Sequence, residues 1–214
     1  MMLHKAIMHF VLTAMLALGV LGLAATAPNN TASSKSSLLP AGYVDSGLSL
    51  TFEGPLFVGG PNVTLSGTLE KIVAQINATN PEYFLSNETS NDSVSGHGAS
   101  KGGNQEGPVY CHLGTPNPAS LAPIEEAVSY LERLKGGCIA PAGPGYCGKI
   151  SCSYDSAVWW CNDRLEPAYY PCKWFAPYTQ RIIDRCKQEL TQEVEGQSFS
   201  GDGTFNVIVG GDRC

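Results

Sequence analysis

The stretch Ile150-Ser-Cys-Ser-Tyr-Asp-Ser-Ala-Val-Trp-Trp-Cys-Asn-Asp163 decides how the rest of the chain is read. Ile150, Cys152 and Tyr154 alternate with Ser151 and Ser153, and Ala157 to Cys161 follows after Asp155-Ser156. A period of two before a polar pair predicts a β-hairpin that turns at Asp155-Ser156. In that register Cys152 faces Trp159 and stands only diagonal to Cys161. Diagonal positions lie about 7 Å apart or more, too far for a relaxed disulfide. Cys152 and Cys161 are therefore expected to bond to different partners, such as Cys138, Cys186 or Cys214. Trp159 and Trp160 are adjacent on one strand and point to opposite faces. Trp159 and Trp174 read as core. Trp160, on the face of Ser151 and Ser153, reads as a candidate surface contact, with Tyr169 and Tyr170 beside it.

Outward from this hairpin the chain reads α-β-β-α-β-β. Pro123 marks the start of a helix whose buried stripe is Ile124, Val128, Leu131 and Leu134, and Gly136-Gly137 stops it. The Pro- and Gly-rich stretch from Ala140 to Gly145 is a loop. Trp174, Tyr178, Ile182 and Cys186, four apart, predict a second helix over Trp174 to Leu190. Gln197 to Phe199, the turn Gly201-Asp202-Gly203, and Phe205, Val207 and Val209 predict a closing hairpin. The expected fold is α+β, a small disulfide-stapled α/β sandwich over residues 109–214.

The staples are read from the cysteine count. All eight cysteines, Cys111, Cys138, Cys147, Cys152, Cys161, Cys172, Cys186 and Cys214, lie in this half of the chain. No C-x-x-C pair occurs, and His112 is the one histidine among them, so zinc-ligand spacing is missing. An even count in an oxidising compartment predicts four disulfides. The compartment follows from the amino terminus. His4 and Lys5 precede an apolar run from Ile7 to Leu23, and Ala24, Ala25, Thr26 and Ala27 end it. That order describes a secretory signal peptide over residues 1–27. Its removal takes away Lys5 and no acid, and no membrane span is expected afterwards.

Between signal and module, residues 28–84 hold a short polar tail and a β-β-α addition. Leu48, Leu50 and Phe52 alternate up to Gly54-Pro55, and Val63 and Leu65 follow Gly59-Gly60-Pro61. Leu69, Ile72, Val73 and Ile76 form one helix face, Thr68 is the N-cap, and Asn80-Pro81 is the stop. This unit is too small to bury its own faces and is expected to pack on the module. Residues 85–108, rich in Ser, Asn and Gly, read as a linker. Sequons stand at Asn29, Asn62, Asn77, Asn87 and Asn91, and none follows residue 93. The glycosylation they predict falls in the half without cysteines.

Composition narrows the chemistry. The 214 residues carry a formal net charge of −6, with 43% hydrophobic and 15% charged residues. That balance disfavours nucleic acid, which needs clustered Lys and Arg. Nucleophilic catalysis wants a Ser or Cys with a histidine and an orienting acid. Past the signal only His97 and His112 remain, and no nucleophile elbow occurs. Paired carboxylates about 5 to 10 Å apart would suit glycoside hydrolysis. Glu125 and Glu126, however, fall in the first turn of the expected helix, and Asp155 and Asp163 in turns. No catalytic residue, metal ligand or cofactor is assigned.

The run from Ile150 to Asp163, the segment Glu195-Gly-Gln-Ser-Phe199 and the ending Asn206-Val-Ile-Val through Cys214 resemble small, secreted, cysteine-rich fungal proteins of the effector-candidate kind. Glu53-Gly-Pro-Leu-Phe57 through Asn80-Pro-Glu-Tyr83 resembles their amino-terminal part. Element order alone gives a looser likeness to Ecp2-type and killer-toxin-like α/β sandwiches, although the Lys-Arg processing pair of killer toxins does not occur here. The resemblance implies fungal origin and an extracellular location. The expected function is non-enzymatic binding at a host or cell-wall surface, to a protein or a glycan. The competing expectations are a wall hydrolase using carboxylates between Asp155 and Asp184, and a structural wall protein.

Overall fold

The computed structural model describes residues 39–85, 106–114 and 117–214, which belong to one unit beginning at Ser36. The signal peptide, Asn29, Asn87, Asn91, His97 and most of the expected linker lie outside the described residues. The amino-terminal elements are β1 (Val44–Pro55), β2 (Asn62–Gly67) and α1 (Leu69–Thr79). After them come β3 (Glu106–Cys111), β4 (Ala119–Ser120), α2 (Leu121–Arg133) and β5 (Gly137–Ala140). The chain continues through β6 (Tyr146–Ser153), β7 (Ser156–Asn162), β8 (Ala168–Pro171), a 3₁₀ turn (Cys172–Trp174) and α3 (Phe175–Cys186). It ends in β9 (Glu193–Val194), β10 (Gly196–Ser200) and β11 (Phe205–Gly211).

Nine strands form one sheet in the order β3-β10-β11-β7-β6-β1-β5-β8, with β2 paired to β1. Strands β4 and β9 pair separately. The sheet is mostly antiparallel, but β1 runs parallel to β6. This corrects the expected division of the chain. The β-β-α region is no addition to a separate module: β1 sits inside the sheet, hydrogen-bonded to β5 and β6 of the cysteine half. Helix α1 is tied there too, because the Glu70 carboxylate accepts the Ser151 hydroxyl and the Cys152 N–H. The α-β-β-α-β-β order is likewise incomplete, since it omits β3, β4, β5, β8 and β9.

The helices follow their apolar stripes. Leu69, Ile72, Val73 and Ile76 are the buried residues of α1, and the Asn80 N–H closes on Ile76 O. Helix α2 begins two residues ahead of Pro123, which falls in the first turn where backbone N–H groups have no helical partner. Glu125 and Glu126 consequently lie just past that turn. Helix α3 stops at Cys186 rather than near Leu190, because Lys187 is extended and the Gln188 N–H bonds Glu193 O.

The hairpin β6–β7 turns one residue earlier than its sequence suggests. Tyr154 and Asp155 both have positive φ, 47° and 54°, as a two-residue primed turn requires. Ser156 is a buried strand residue whose hydroxyl oxygen accepts the Ser120 N–H. Cys152 therefore faces Ala157, and after a bulge at Ile150 Cys147 faces Cys161. The four disulfides are Cys111–Cys186, Cys138–Cys172, Cys147–Cys161 and Cys152–Cys214. Cys152 and Cys161 take different partners.

The three helices among the described residues pack on one face of the sheet, over Phe52, Ile150, Val158, Trp160, Phe205, Val207 and Val209. The opposite face carries a smaller cluster of Leu39, Cys147, Ala157, Trp159, Cys161 and Ile208, edged by Tyr43 and Leu113. Every residue of β7 is buried between the two.

Phe52 is sealed where β1 passes the end of α2. A Cβ built on Gly136 meets Glu53 O and the Phe52 ring, both at 2.6 Å. Gly136→Ala should destabilise the protein by about 1–3 kcal/mol in chemical denaturation, because backbone stands in the way. A non-reducing peptide map should return the four cystines above, with Cys147 joined to Cys161 and Cys152 to Cys214.

Candidate functional site

The site is best built from the aromatic cluster, because its buried members decide which ring reaches the surface. Trp160, Tyr170, Phe175 and Phe205 form one continuous aromatic core, with centroids 4.5 to 6.4 Å apart. This corrects the surface contact expected of Trp160, Tyr169 and Tyr170, which are 2%, 7% and 0% exposed. The reason is the covered sheet. Opposite faces of a strand both become interior when helices lie on one side and a second cluster on the other.

One ring, the half-buried Trp174, carries the cluster outward, with the buried Tyr178 behind the same surface. Trp174 lies 5.7 Å from Tyr170, and Tyr178 lies 4.9 Å from Phe205. Trp174 is only half-buried, whereas Trp159 and Trp160 are fully enclosed. Trp174 and, with little exposed area, Tyr178 help line a groove of about 380 Å³ together with Glu106, Glu132, Lys173, Ala176, Pro177 and Arg181. That volume sits at the low end of small-ligand sites, about 300–1,000 Å³.

Three segments far apart in sequence build the walls. Glu106 opens β3, Glu132 lies in the last turn of α2, and the remainder come from the 3₁₀ turn and α3. Arg181 is held in a fixed pose. It donates to Ser198 Oγ and Gly107 O, lies 3.7 Å from the Glu106 carboxylate, and stacks 5.9 Å from the Tyr178 ring centroid. Burial pushes the Tyr178 hydroxyl up to about 12, so it stays protonated through the neutral range. Disulfides fix both walls, since Cys111–Cys186 joins β3 to the end of α3, and Cys138–Cys172 anchors the residue preceding Lys173.

The acids singled out from the sequence do not converge. Asp163 lies on the sheet face opposite the helices, where it accepts hydrogen bonds from the Asn206 amide at 2.8 Å and the Tyr43 hydroxyl. Gln197 in turn donates to Asn206 Oδ1. Asp184 is exposed on α3, on the other side of the sheet, and accepts from Gln180. Asp155 occupies the exposed β6–β7 turn. His112 is exposed just after β3. Among the described residues, no group of three or more His, Cys, Asp or Glu is placed to hold a metal ion. Of the sequons, Asn62 at the start of β2 and Asn77 on α1 are exposed.

Sequence reasoning passed over Lys173, Arg181, Glu106 and Glu132 as site residues. Trp174 was legible only as the end of the Tyr178–Ile182–Cys186 stripe, which made it core. The signal that could have separated it is its position just ahead of the helix, two residues after Cys172.

No family model matches the chain, and no curated protein or solved structure matches it either.

Burial holds the Asp163 carboxyl above its ordinary range despite the hydrogen bonds it accepts. A group raised in the folded state binds its proton more tightly there than in the unfolded chain. Its contribution is therefore complete below the usual carboxylate value of about 4 and is lost as pH rises through the folded value. Denaturation curves of wild type should lose stability across that window relative to Asp163→Asn; parallel pH profiles would refute the assignment.

Proposed function

We propose that this chain is a secreted, glycosylated, disulfide-stapled protein that acts by binding at a host or cell-wall surface, and that the Trp174 groove is its recognition site. One observation carries the proposal: a half-buried tryptophan lines a concave site whose walls are held by two disulfides. An anchoring aromatic in a rigid setting is what recognition sites use, because a preformed shape loses little entropy on binding. The resemblance to secreted fungal effector candidates supports the extracellular setting. Four disulfides among the described residues, and no helix there long and apolar enough to cross a membrane, are consistent with it. The exposure of Asn62 and Asn77 leaves both sequons accessible to glycosylation.

A binding role also agrees with the separation of Asp163 from Asp184. Asp163 and Asp184 stand on opposite sides of the sheet, so these two do not form the close carboxylate pair that glycoside hydrolysis would need.

The test is retention of the purified protein on washed plant and fungal surfaces. Wild type should be retained, and Trp174→Ala should weaken retention about tenfold or more, the usual size of losing an aromatic anchor. Trp174→Ala must keep the wild-type circular dichroism spectrum for the comparison to stand. Absence of wild-type retention, or equal retention of the two proteins, defeats the reading.

A further inference from the structure

Resting on that reading, we infer that the occupant of the Trp174 groove is a neutral oligosaccharide segment of a wall polysaccharide, stacked on the Trp174 ring. The inference begins from the charges at the rim. Two carboxylates, Glu106 and Glu132, and two cations, Lys173 and Arg181, surround the aromatic floor. A carboxylate only accepts hydrogen bonds, while an ammonium or guanidinium only donates them. A hydroxyl does both. Glu106 and Arg181 already pair with each other, and a hydroxyl, as donor and acceptor, can add to that pair as well as meet Glu132 or Lys173.

Ligands of a single charge do not. An anion gains from Lys173 and Arg181 but meets Glu106 and Glu132, and a cation meets the reverse. The protein's overall charge of −6 further disfavours anionic polymers. A wholly apolar peptide would strand these charged tips against its surface.

The floor completes the match. The half-buried Trp174 and the exposed Pro177 give the groove its apolar surface below the charged edges, and Ala176 and Tyr178, 1% and 4% exposed, add little area to it. A sugar ring with equatorial hydroxyls has the same division, with C–H bonds on its faces and hydroxyls around its rim. Trp174 rests against Tyr170, and Tyr178 against Phe205, so the aromatic core supports both groove rings. Arg181 is already oriented by Ser198, Gly107 and Glu106 and needs no rearrangement to donate.

The experiment uses the intact, disulfide-bonded secreted chain titrated with cellohexaose and with chitohexaose, followed by tryptophan emission and calorimetry. Trp159 and Trp160 are 1% and 2% exposed, so a change in emission reports Trp174. At least one neutral oligomer should give a saturable response. Oligogalacturonate and oligomeric chitosan should bind about tenfold more weakly or worse. Trp174→Ala should abolish the response, and Trp174→Tyr should keep calorimetric binding within about tenfold of wild type, because a ring remains to stack on. Glu132→Lys, a change at an exposed helical position, should shift preference toward oligogalacturonate.

The inference is overturned if neither neutral oligomer binds, if Trp174→Ala binds as wild type does, or if a charged oligomer binds better. Its failure is separable from failure of the surface-binding reading. Should Trp174→Ala lose surface retention while no oligosaccharide binds, recognition at the groove stands and the sugar assignment falls. Retention abolished by protease treatment of the surface would identify a protein partner and overturn the inference.

Discussion

Ser156 to Asn162 form a strand with no residue left facing water. Such a segment survives only if both of its faces are covered and its backbone is hydrogen-bonded on both edges. The rest of the molecule meets those two conditions. Strands β6 and β11 flank β7, helices cover Val158 and Trp160, and the second cluster covers Ala157, Trp159 and Cys161. The amino-terminal segment contributes directly, since Leu39 belongs to that second cluster and Tyr43 is hydrogen-bonded to Asp163. Covering a strand twice takes more chain than a single two-layer sandwich, which is why the β-β-α region is drawn into the body.

The same double covering explains where the disulfides matter. With the centre of the sheet already packed, two bridges serve its periphery. In the chain-entropy account, closing the 75-residue loop of Cys111–Cys186 constrains the unfolded chain by on the order of 4 kcal/mol. Its local effect is as important, because it holds an edge strand carrying Pro108 against α3. Proline is tolerated at a sheet edge because its missing N–H leaves no ladder bond unmade. An edge so blunted is a poor template for another strand, and its first residue, Glu106, lines the groove in an ion pair with Arg181.

Much of this fold was legible, and the failures share a cause. The α1 stripe and the β1 and β2 alternation belong to half-covered elements, and half-covering produces a period; the almost wholly buried β10–β11 hairpin was marked instead by its Gly201-Asp202-Gly203 turn. Strand β8 is buried at all four positions, and β5 is a four-residue strand that begins on Gly137, so neither displays a period. Adjacent tryptophans on one strand correctly implied opposite faces. They could not reveal that both faces are interior, which is how Trp160 came to be read as surface. The turn slipped by one residue because Asp155-Ser156 looks like a turn locally, while Ser156 is claimed by a bond to the distant Ser120. The groove was the least legible part. Its four charged residues come from three segments, and no local spacing joins Glu106 to Arg181.

The parallel pairing of β1 with β6 sets the order in which the molecule can assemble. Ser46 and Cys147, joined by a hydrogen bond across that pair, are 101 residues apart. Hairpins β6–β7 and β10–β11 close loops of only a few residues and can form as soon as their strands exist. Strand β1 must instead wait for a partner made much later in the chain. During that interval Asn62 and Asn77 lie on a segment not yet docked. Both positions are exposed in the folded chain, so a group attached at either one would not obstruct sheet closure.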